Sequence, residues 1–459
     1  MRLTVLGTGV RTPFVLHGLA ERQAELGLTE VVLHDTDHER LRIMRALGEH
    51  LCRGWGATFA VRAEEDPRAA IAGSRFVFSA IRVGQEGARA VDERIALAHG
   101  VLGQETTGPG GFAMALRTIP AMLRYAELIT EVEPEATLVN FTNPVGIIVQ
   151  ALADHSDVRV IGVCDGPIGM KRSVAELLGA PPDHVHADYA GLNHAGWIHR
   201  VLVEGRDHLP EVLDRYEELQ RLDASWRLFE PEVVREIGML PMEYLYFYYS
   251  REQAIRNILS SGGSRGEQIA RLNAALWPEL ARLVAAGDLA GAQAAWERAI
   301  RTRHETYFAR ERGEPVPEEV PPSPPAHAEM FEGDGYEGLA TAVMVSAVQR
   351  RRMPLIVDTR NRGAISDLRE DDVVEVTCMV DHNGAHPIAQ GRLPQHALEL
   401  IEPLKEYERL TVRAAVEGSY ALALEALAVH PLVGSPELAR SLLDAYLEAH
   451  GDLLAHIRR

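Results

Sequence analysis

Short apolar runs alternate with longer stretches of helical spacing through the first part of the chain. Residues 2–6 (RLTVL) are mostly apolar and stop at Gly7. GTGVRTP follows, then FVLHGLAERQAEL with apolar positions at helical intervals, then VVLHDTD at 31–37, an apolar run ending in acids. This order, strand, glycine-rich turn, helix, strand, predicts a βαβ unit. FVFSAI (76–81), TLVNFTN (137–143) and RVIGVCD (159–165) read as further strands, with helical text such as AMALRTIPAMLRYAELITEV between them. Apolar strands alternating with helices predict a parallel, doubly wound, Rossmann-like sheet.

From about residue 206 to 312 the pattern turns to long helical segments rich in Glu, Arg, Ala and Leu. EPVPEEVPPSPP (314–325) reads as a linker or extended loop, because proline ends helices. GLATAVMVSAVQRR then reads as a helix, and PLIVDTRNRGAI and VVEVTCMVDHNGAHPI as strands. LTVRAAVEGSYALALEALAVHP and ELARSLLDAYLEAH close the chain as helices. The expectation is an α/β protein: a Rossmann-like, dinucleotide-binding domain at 1–200, and a C-terminal α+β domain at 201–459 that completes the active site and an oligomer interface.

Composition narrows the class. With 46% hydrophobic and 25% charged residues in 459, fibrous and disordered readings fall away. The formal net charge of −19 argues against nucleic acid or an anionic membrane as partner. An anionic ligand would therefore need a locally positive site. Cys52, Cys164 and Cys378 are too few and scattered for a disulfide framework, so a reduced cytoplasm is expected. MRLTVLGTGV lacks a basic segment followed by an apolar one, so no signal peptide is expected. No run of about 20 apolar residues predicts a membrane span.

Candidate chemistry begins at the first turn. Gly7 and Gly9, with Val10 and Arg11 at the start of the helix, suit a dinucleotide pyrophosphate. The third glycine of the usual fingerprint is absent; Thr12 and Pro13 stand there. Asp35 is the candidate for a ribose hydroxyl, 26 residues beyond Gly9, where about 20 is usual; Asp37 is its rival. Cys164 lies at the carboxyl end of a strand, followed by Asp165, and Asn143 ends another strand. His194 sits in GLNHAGW. One thiolate and one imidazole are too few for structural zinc, but they leave room for a chelating substrate at an open Mn or Co site. By themselves, the two residues read better as an inert buried cysteine and a hydrogen-bonded structural histidine.

The dense glycines of GQETTGPGG (103–111), around Glu105 and Thr106, suggest close approach to a ligand. Arg82 and Arg89 follow a strand, where a solvated helix face is the alternative, strongest for Arg89. PMEYLYFYYS (241–250) carries four tyrosines. Most should be core or interface, and one could act as a base if a cation lowers its phenol from about 10.

In order along the chain, VLGTGVRTP, IRVG, DERIALAHGVLGQETTGPGG, NFTNPVGI, GVCDGPIGM, GLNHAGW, LPMEYLYFYY, RGEQI, YEGLA and RNRGAISDLREDDVVEVTCMVDHNGAHP resemble glycoside hydrolase family 4, most closely its 6-phospho-β-glucosidases. That resemblance implies hydrolysis outside the ordinary two-carboxylate scheme. NAD⁺ takes hydride from C3 of the sugar, a base removes the C2 proton, and the C1–O bond breaks by elimination. Water then adds, and the hydride returns. Mn²⁺ or another divalent metal bridges the C2 and C3 oxygens. The resemblance reverses the reading of Cys164 and His194 and makes them the metal ligands. It gives Asn143 the sugar hydroxyls, and Tyr244 the C2 proton with Tyr246 as rival. It sets Glu105 and Thr106 near nicotinamide and sugar, and Arg82, Arg89 and Arg265 at the sugar 6-phosphate. The implied partner is a phosphorylated disaccharide or glucoside, and the implied assembly a homodimer or homotetramer.

One departure concerns the anomer. Cys-Asn-Val-Pro marks the β-specific members and Cys-Asp-Met-Pro the α-specific ones, whereas this chain has Cys-Asp-Gly-Pro. Asp165 can then act as an acid on the leaving oxygen. The alternatives are a 6-phospho-α-glucosidase or unphosphorylated α-glycosidase of the same family, an NAD-dependent 2-hydroxy acid dehydrogenase, and a non-catalytic dinucleotide sensor.

Overall fold

The structure is a computed structural model that describes residues 1–316 and 336–459. Most of the proline-rich stretch 314–325 lies outside the described residues. Six strands form the N-terminal half of the sheet: β1 (Arg2–Leu6), β2 (Glu30–His34), β3 (Ala60–Ala63), β4 (Ser74–Ser79), β5 (Thr137–Asn140) and β6 (Arg159–Gly162). They run parallel in the order β3-β2-β1-β4-β5-β6. This is the doubly wound order of dinucleotide-binding sheets, reversing between β1 and β4. β1, β2 and β4 are almost wholly buried, as expected where helices cover both faces. β3, AVRA, was not read from the sequence: it is an edge strand of mixed exposure with little apolar signal.

The second set of strands does not form a sheet of its own. β7 (Val185–Leu192), β8 (Ala195–Val203), β9 (Arg206–Asp207), β10 (Leu240–Pro241), β11 (Met353–Arg360), β12 (Val373–Asp381) and β13 (Gly384–Pro387) continue the same sheet. β11 meets β6 antiparallel at Asp358 and Gly162, then pairs along its length with β12, and β12 meets the β7–β8 hairpin. Without β11 the parallel half would end at β6 with an open edge, and such edges are normally covered. Residue 200, where the sequence reading divides the chain, falls within β8.

Helices Arg265–Ala285 and Leu289–Glu305 pack on the N-terminal half beside helix His38–Gly54, joining Leu276, Leu280 and Trp296 to Val10, Met44 and Leu47. Helix Pro109–Val132 crosses the centre, and Gln395–Glu417 lies against it. Among the described residues, no helix is long and apolar enough to cross a membrane.

Candidate active site

At the carboxyl ends of β1 and β4 opens a cleft of about 1080 Å³, lined by Gly7, Gly9, Val10, Arg11, Asp35, Arg82, Asn143 and Arg303 among others. This is the crevice where doubly wound sheets take their ligands. Gly7 has φ +93°, and a Cβ there would stand 2.6 Å from the Ala80 carbonyl oxygen, so both conformation and space require glycine. Gly9 is open, with nothing within 4 Å of where a Cβ would lie. The Asp35 carboxylate accepts from Thr8 N (2.6 Å), Thr8 Oγ1 (3.0 Å) and Asp37 N (2.9 Å), and so braces the turn from the cleft wall. Its rival Asp37 caps helix His38–Gly54, accepting from Arg40 N at 3.1 Å. The Val10 carbonyl accepts from Trp296 Nε1 at 2.8 Å, which ties the turn to the C-terminal half.

The second group is built on the β7–β8 hairpin. His194 sits in its two-residue turn with φ +64°, a left-handed conformation that non-glycine residues adopt rarely and often at functional sites. Its Nδ1 is 2.8 Å from Thr106 Oγ1. Its ring stacks on Tyr244, centroids 4.0 Å apart and planes 6° from parallel. Burial pushes the imidazole down to about 4, against the pull of Asp165 and Glu105, so it is neutral near pH 7 and free to ligate through Nε2. Cys164 is buried just beyond β6. Burial, then Glu375 and Asp165, raise its thiol well above the usual range. Only a cation beside it would favour the thiolate.

Glu375 supports this group from behind. It accepts from Tyr189 Oη at 3.0 Å and from Asn193 Nδ2 at 3.2 Å, next to His194 in the hairpin turn. Burial pushes its carboxyl up to about 8. Asp165 stands half-exposed at the start of helix Gly166–Leu178, 3.7 Å from Arg11 Nη1. The two candidate tyrosines part company. Tyr246 donates to the Glu311 carbonyl at 3.1 Å, whereas Tyr244 lies on His194.

The glycine-rich loop is packed tightly against the helix that follows it. A Cβ on Gly110 would stand 2.1 Å from the Gln104 carbonyl oxygen, and one on Gly111 2.0 Å from that of Thr106. Gly110 and Gly111 answer to the chain's own backbone, because helix Pro109–Val132 starts directly against the loop. Thr106, expected at the cofactor, spends its hydroxyl on His194. Glu105 pairs with Arg82 and with Arg89 Nη1 at 2.5 Å. Burial would raise Glu105, but the two guanidiniums override it and hold the carboxyl far below the usual range. Arg89 is buried, not on a solvated face, and also donates to Glu93 at 2.7 Å.

Arg265 is occupied. It donates to Gln268 Oε1 (2.8 Å), Thr306 Oγ1 (2.6 Å) and the Arg303 carbonyl. Burial and then Arg89 lower it to about 10. Its work is to hold the segment carrying Arg303, which the sequence reading missed. Arg303 lines the cleft, and burial followed by repulsion from Arg11, Arg89 and Arg265 lowers it well below an ordinary guanidinium. Such crowding of positive charge favours an anion. The sequence gives no signal for it, since RTRHETY is helical text in a charged region.

The donors present fit a divalent cation. Among the described residues, no three His, Cys, Asp or Glu side chains gather to hold a metal. Cys164 and His194 offer a thiol and a neutral imidazole, donor types that such a cation takes, with other donors needed. Asn143 Oδ1 is buried with no hydrogen-bond partner in the cleft wall, an oxygen left for a ligand group.

Models of family 4 glycosyl hydrolases match residues 2–180, and models of that family's C-terminal domain match 189–433. A Bacillus subtilis protein named "Probable 6-phospho-beta-glucosidase" is 32% identical over 98% of this chain and 96% of its own. The 6-phospho-β-glucosidase of Thermotoga maritima, solved with manganese, NAD⁺ and glucose 6-phosphate, superposes with TM-score 0.80 at 29% identity, over 98% of each chain. A 6-phospho-α-glucosidase from gut microorganisms, solved with NAD and Mn²⁺, gives TM-score 0.78 at 27% identity, again over 98% of each.

Proposed function

This chain belongs to glycosyl hydrolase family 4, and from that premise we propose that it hydrolyses 6-phospho-β-glucosides such as cellobiose 6-phosphate, releasing glucose 6-phosphate. The observation that carries this reading is the neutral His194 stacked on Tyr244 and fixed by Thr106, beside a cleft that begins at a dinucleotide turn. When bound, NAD supplies reversible hydride acceptance, and a divalent cation such as Mn²⁺ supplies Lewis-acid polarisation of sugar oxygens.

The chain's own residues do the rest. Gly7, Gly9, Val10 and Arg11 cradle the dinucleotide while Asp35 braces their turn. Cys164 and His194 hold the cation. Asn143 Oδ1 receives a sugar hydroxyl. Tyr244 removes the C2 proton, a task that needs a nearby cation because burial, then Glu243 and Glu105, raise its phenol well above the usual value. Asp165, half-exposed and 3.7 Å from Arg11 of the cleft lining, gives a proton to the leaving oxygen. Arg82, Arg89 and Arg303 make the phosphate end positive within an acidic protein, with Arg265 holding Arg303 in place. Residues 1–200 supply the cofactor half, and 201–459 close the site from the other side.

A second reading, hydrolysis of 6-phospho-α-glucosides, is favoured by Asp165 in Cys-Asp-Gly-Pro and by the likeness to the 6-phospho-α-glucosidase. The three buried free cysteines support a cytoplasmic setting. Exposed Leu222, Val233 and Leu259 support a dimer or tetramer. The test compares p-nitrophenyl α- and β-glucoside 6-phosphates and their unphosphorylated counterparts, with and without NAD⁺ and Mn²⁺. Release from the β-phosphate only with both cofactors is expected. Faster release from the α-phosphate moves the assignment to the second reading. Turnover unchanged after chelation and cofactor removal, or net NADH accumulation on 2-hydroxy acids, overturns both.

A further inference from the structure

We propose that Trp296 is a positioning residue for the dinucleotide: its indole N–H holds the central peptide of the Gly9–Thr12 turn in the orientation that receives the pyrophosphate. This rests on the turn being the NAD⁺ cradle and adds a residue that does not line the cleft and stands 286 positions from Val10.

Thr12 N donates to the Gly9 carbonyl at 3.0 Å, which closes a β-turn with Val10 and Arg11 at its centre. Arg11 has φ −91° and ψ −5°, the backbone of the second central residue of a type I turn, and it caps helix Thr12–Glu21. Type I and type II turns differ in the orientation of the central peptide plane, here the one between Val10 and Arg11. Trp296 Nε1 donates to the carbonyl of that plane, Val10 O, at 2.8 Å in the protein interior. A peptide unit is planar and trans, so with its carbonyl held at the indole the Arg11 N–H is fixed on the opposite side. Val10 and Arg11 both line the cleft. Backbone N–H groups at a helix start are what a pyrophosphate takes. A hydrogen bond on the buried side of one peptide therefore sets the direction of a donor on its other side.

The indole is itself fixed. Trp296 is fully buried in a cluster with Leu276 and Leu280 of helix Arg265–Ala285 and Met44 and Leu47 of helix His38–Gly54, and the Val10 side chain joins the same cluster. Its ring centroid lies 5.5 Å from that of Phe14, in the first turn of helix Thr12–Glu21. Trp296 also shares helix Leu289–Glu305 with Arg303, at i+7 and so on the same face. One helix thus reaches the dinucleotide turn through an indole and the cleft through a guanidinium.

The effect expected is graded. A type II turn would need φ of about +80° at Arg11, which an arginine avoids, so losing the indole N–H does not flip the peptide. It leaves a buried carbonyl unpaired, and the plane tilts towards whatever donor it can reach. Binding must then restore the plane, which is a loss of preorganisation.

The test compares Trp296→Phe, which keeps a ring and loses the donor, with Leu280→Ala, which removes packing from the same cluster and leaves the hydrogen bond. NAD⁺ affinity is measured by titration calorimetry on the full chain without sugar, and stability by denaturant unfolding without NAD⁺. Trp296→Phe is expected to weaken NAD⁺ binding about tenfold and to keep kcat at saturating NAD⁺. Leu280→Ala is expected to lose stability and to keep NAD⁺ affinity within about twofold. The five tryptophans give a readout that needs no variant to bind. In NMR spectra of the indole N–H groups, the peak missing from Trp296→Phe should shift downfield when NAD⁺ saturates the wild type, because a pyrophosphate on the Arg11 N–H polarises the Val10 carbonyl. Unchanged NAD⁺ affinity in Trp296→Phe overturns the proposal. An equal loss of affinity in Leu280→Ala also overturns it, because it marks a role in packing alone, as does an indole peak that NAD⁺ leaves in place. Should Trp296→Phe fail to fold, the peak is assigned by replacing the other tryptophans, and its shift decides. A wild type that binds no NAD⁺ overturns the dinucleotide reading and the proposal with it, and is told apart from failure of the proposal alone, in which the wild type binds.

Discussion

The dinucleotide turn and the His194 group lie in one protein but are held by opposite means. At the turn, the polar groups are satisfied by neighbours. Gly7 N donates to the His34 carbonyl at 2.9 Å, and Asp35 gathers Thr8 and Asp37 around its carboxylate. Around His194, Thr106 and Tyr244 make direct contact and Glu375 braces the neighbouring Asn193, and several groups nearby are held far from their ordinary protonation. Burial lowers His194 to about 4, and it raises Glu243 and Glu375 to about 8. The turn is a finished piece of backbone that a ligand can approach. The His194 group holds buried titratable side chains far from their ordinary protonation. Perturbed groups of this kind gather where chemistry is done.

The comparison is broken most sharply by removing groups from the catalytic side. Cys164→Ala, His194→Ala and Tyr244→Phe are each expected to lower kcat/KM about 10³-fold or more, while NAD⁺ binding followed by fluorescence stays within a few-fold. Loss of NAD⁺ binding in all three would mean that the two regions are not separable. Next comes the turn itself. Gly7→Ala places a Cβ 2.6 Å from the Ala80 carbonyl in a left-handed conformation. Overpacking with backbone strain should destabilise the fold by about 1–3 kcal/mol, read by denaturant unfolding, and should weaken NAD⁺ binding. Gly9→Ala, with open space around it, should leave stability unchanged and affect binding alone.

Thr106→Val sharpens the contrast from between the two regions. It keeps the side-chain shape and removes the hydroxyl at 2.8 Å from His194 Nδ1. Groups that orient metal ligands typically contribute 10–100-fold to metal affinity or activity, and a Mn²⁺ titration should show a loss in that range. Unchanged Mn²⁺ affinity would count against His194 as a ligand.

These two regions also differ in how far the sequence reveals them. The turn is local: strand, Gly-x-Gly, helix and acid lie within the first 35 residues, and β1 occupies the residues read as its strand. The catalytic group is assembled across long separations. Thr106 meets His194 across 88 positions. By spacing alone Cys164 and His194 looked structural, and only the family resemblance raised them. Arg303 and Glu375 carried no local signal, because their roles arise from sheet register and helix packing. The loop at 103–111 shows the same limit: glycines required by a helix laid on the loop look, in one dimension, like glycines placed for a ligand.

The smallest effect expected is on stability, and it is read at His430. His430 shares the wall of a small cavity with His194, edge-on to Tyr407 at 4.5 Å, with Nδ1 accepting from Leu432 N at 3.1 Å. Burial pushes it down to about 3, from 6.5 for a free imidazole. The folded protein therefore refuses a proton that the unfolded chain accepts. The stability this gives is complete above about 6.5 and is lost as pH falls towards about 3, at about 1.4 kcal/mol per pH unit. Glu243 and Glu375 act in the reverse sense. Their raised pKa values favour the folded protein as pH drops from about 8 through the ordinary glutamate range, and two such carboxyls outweigh one histidine. The difference between wild type and His430→Gln isolates the histidine. Urea unfolding between pH 7 and pH 5 should show the stability of the variant, relative to the wild type, rising as pH falls. Equal slopes for wild type and His430→Gln would mean that the cavity wall admits a charged imidazole, and that the contrast between a finished turn and a strained site does not extend to the whole pocket.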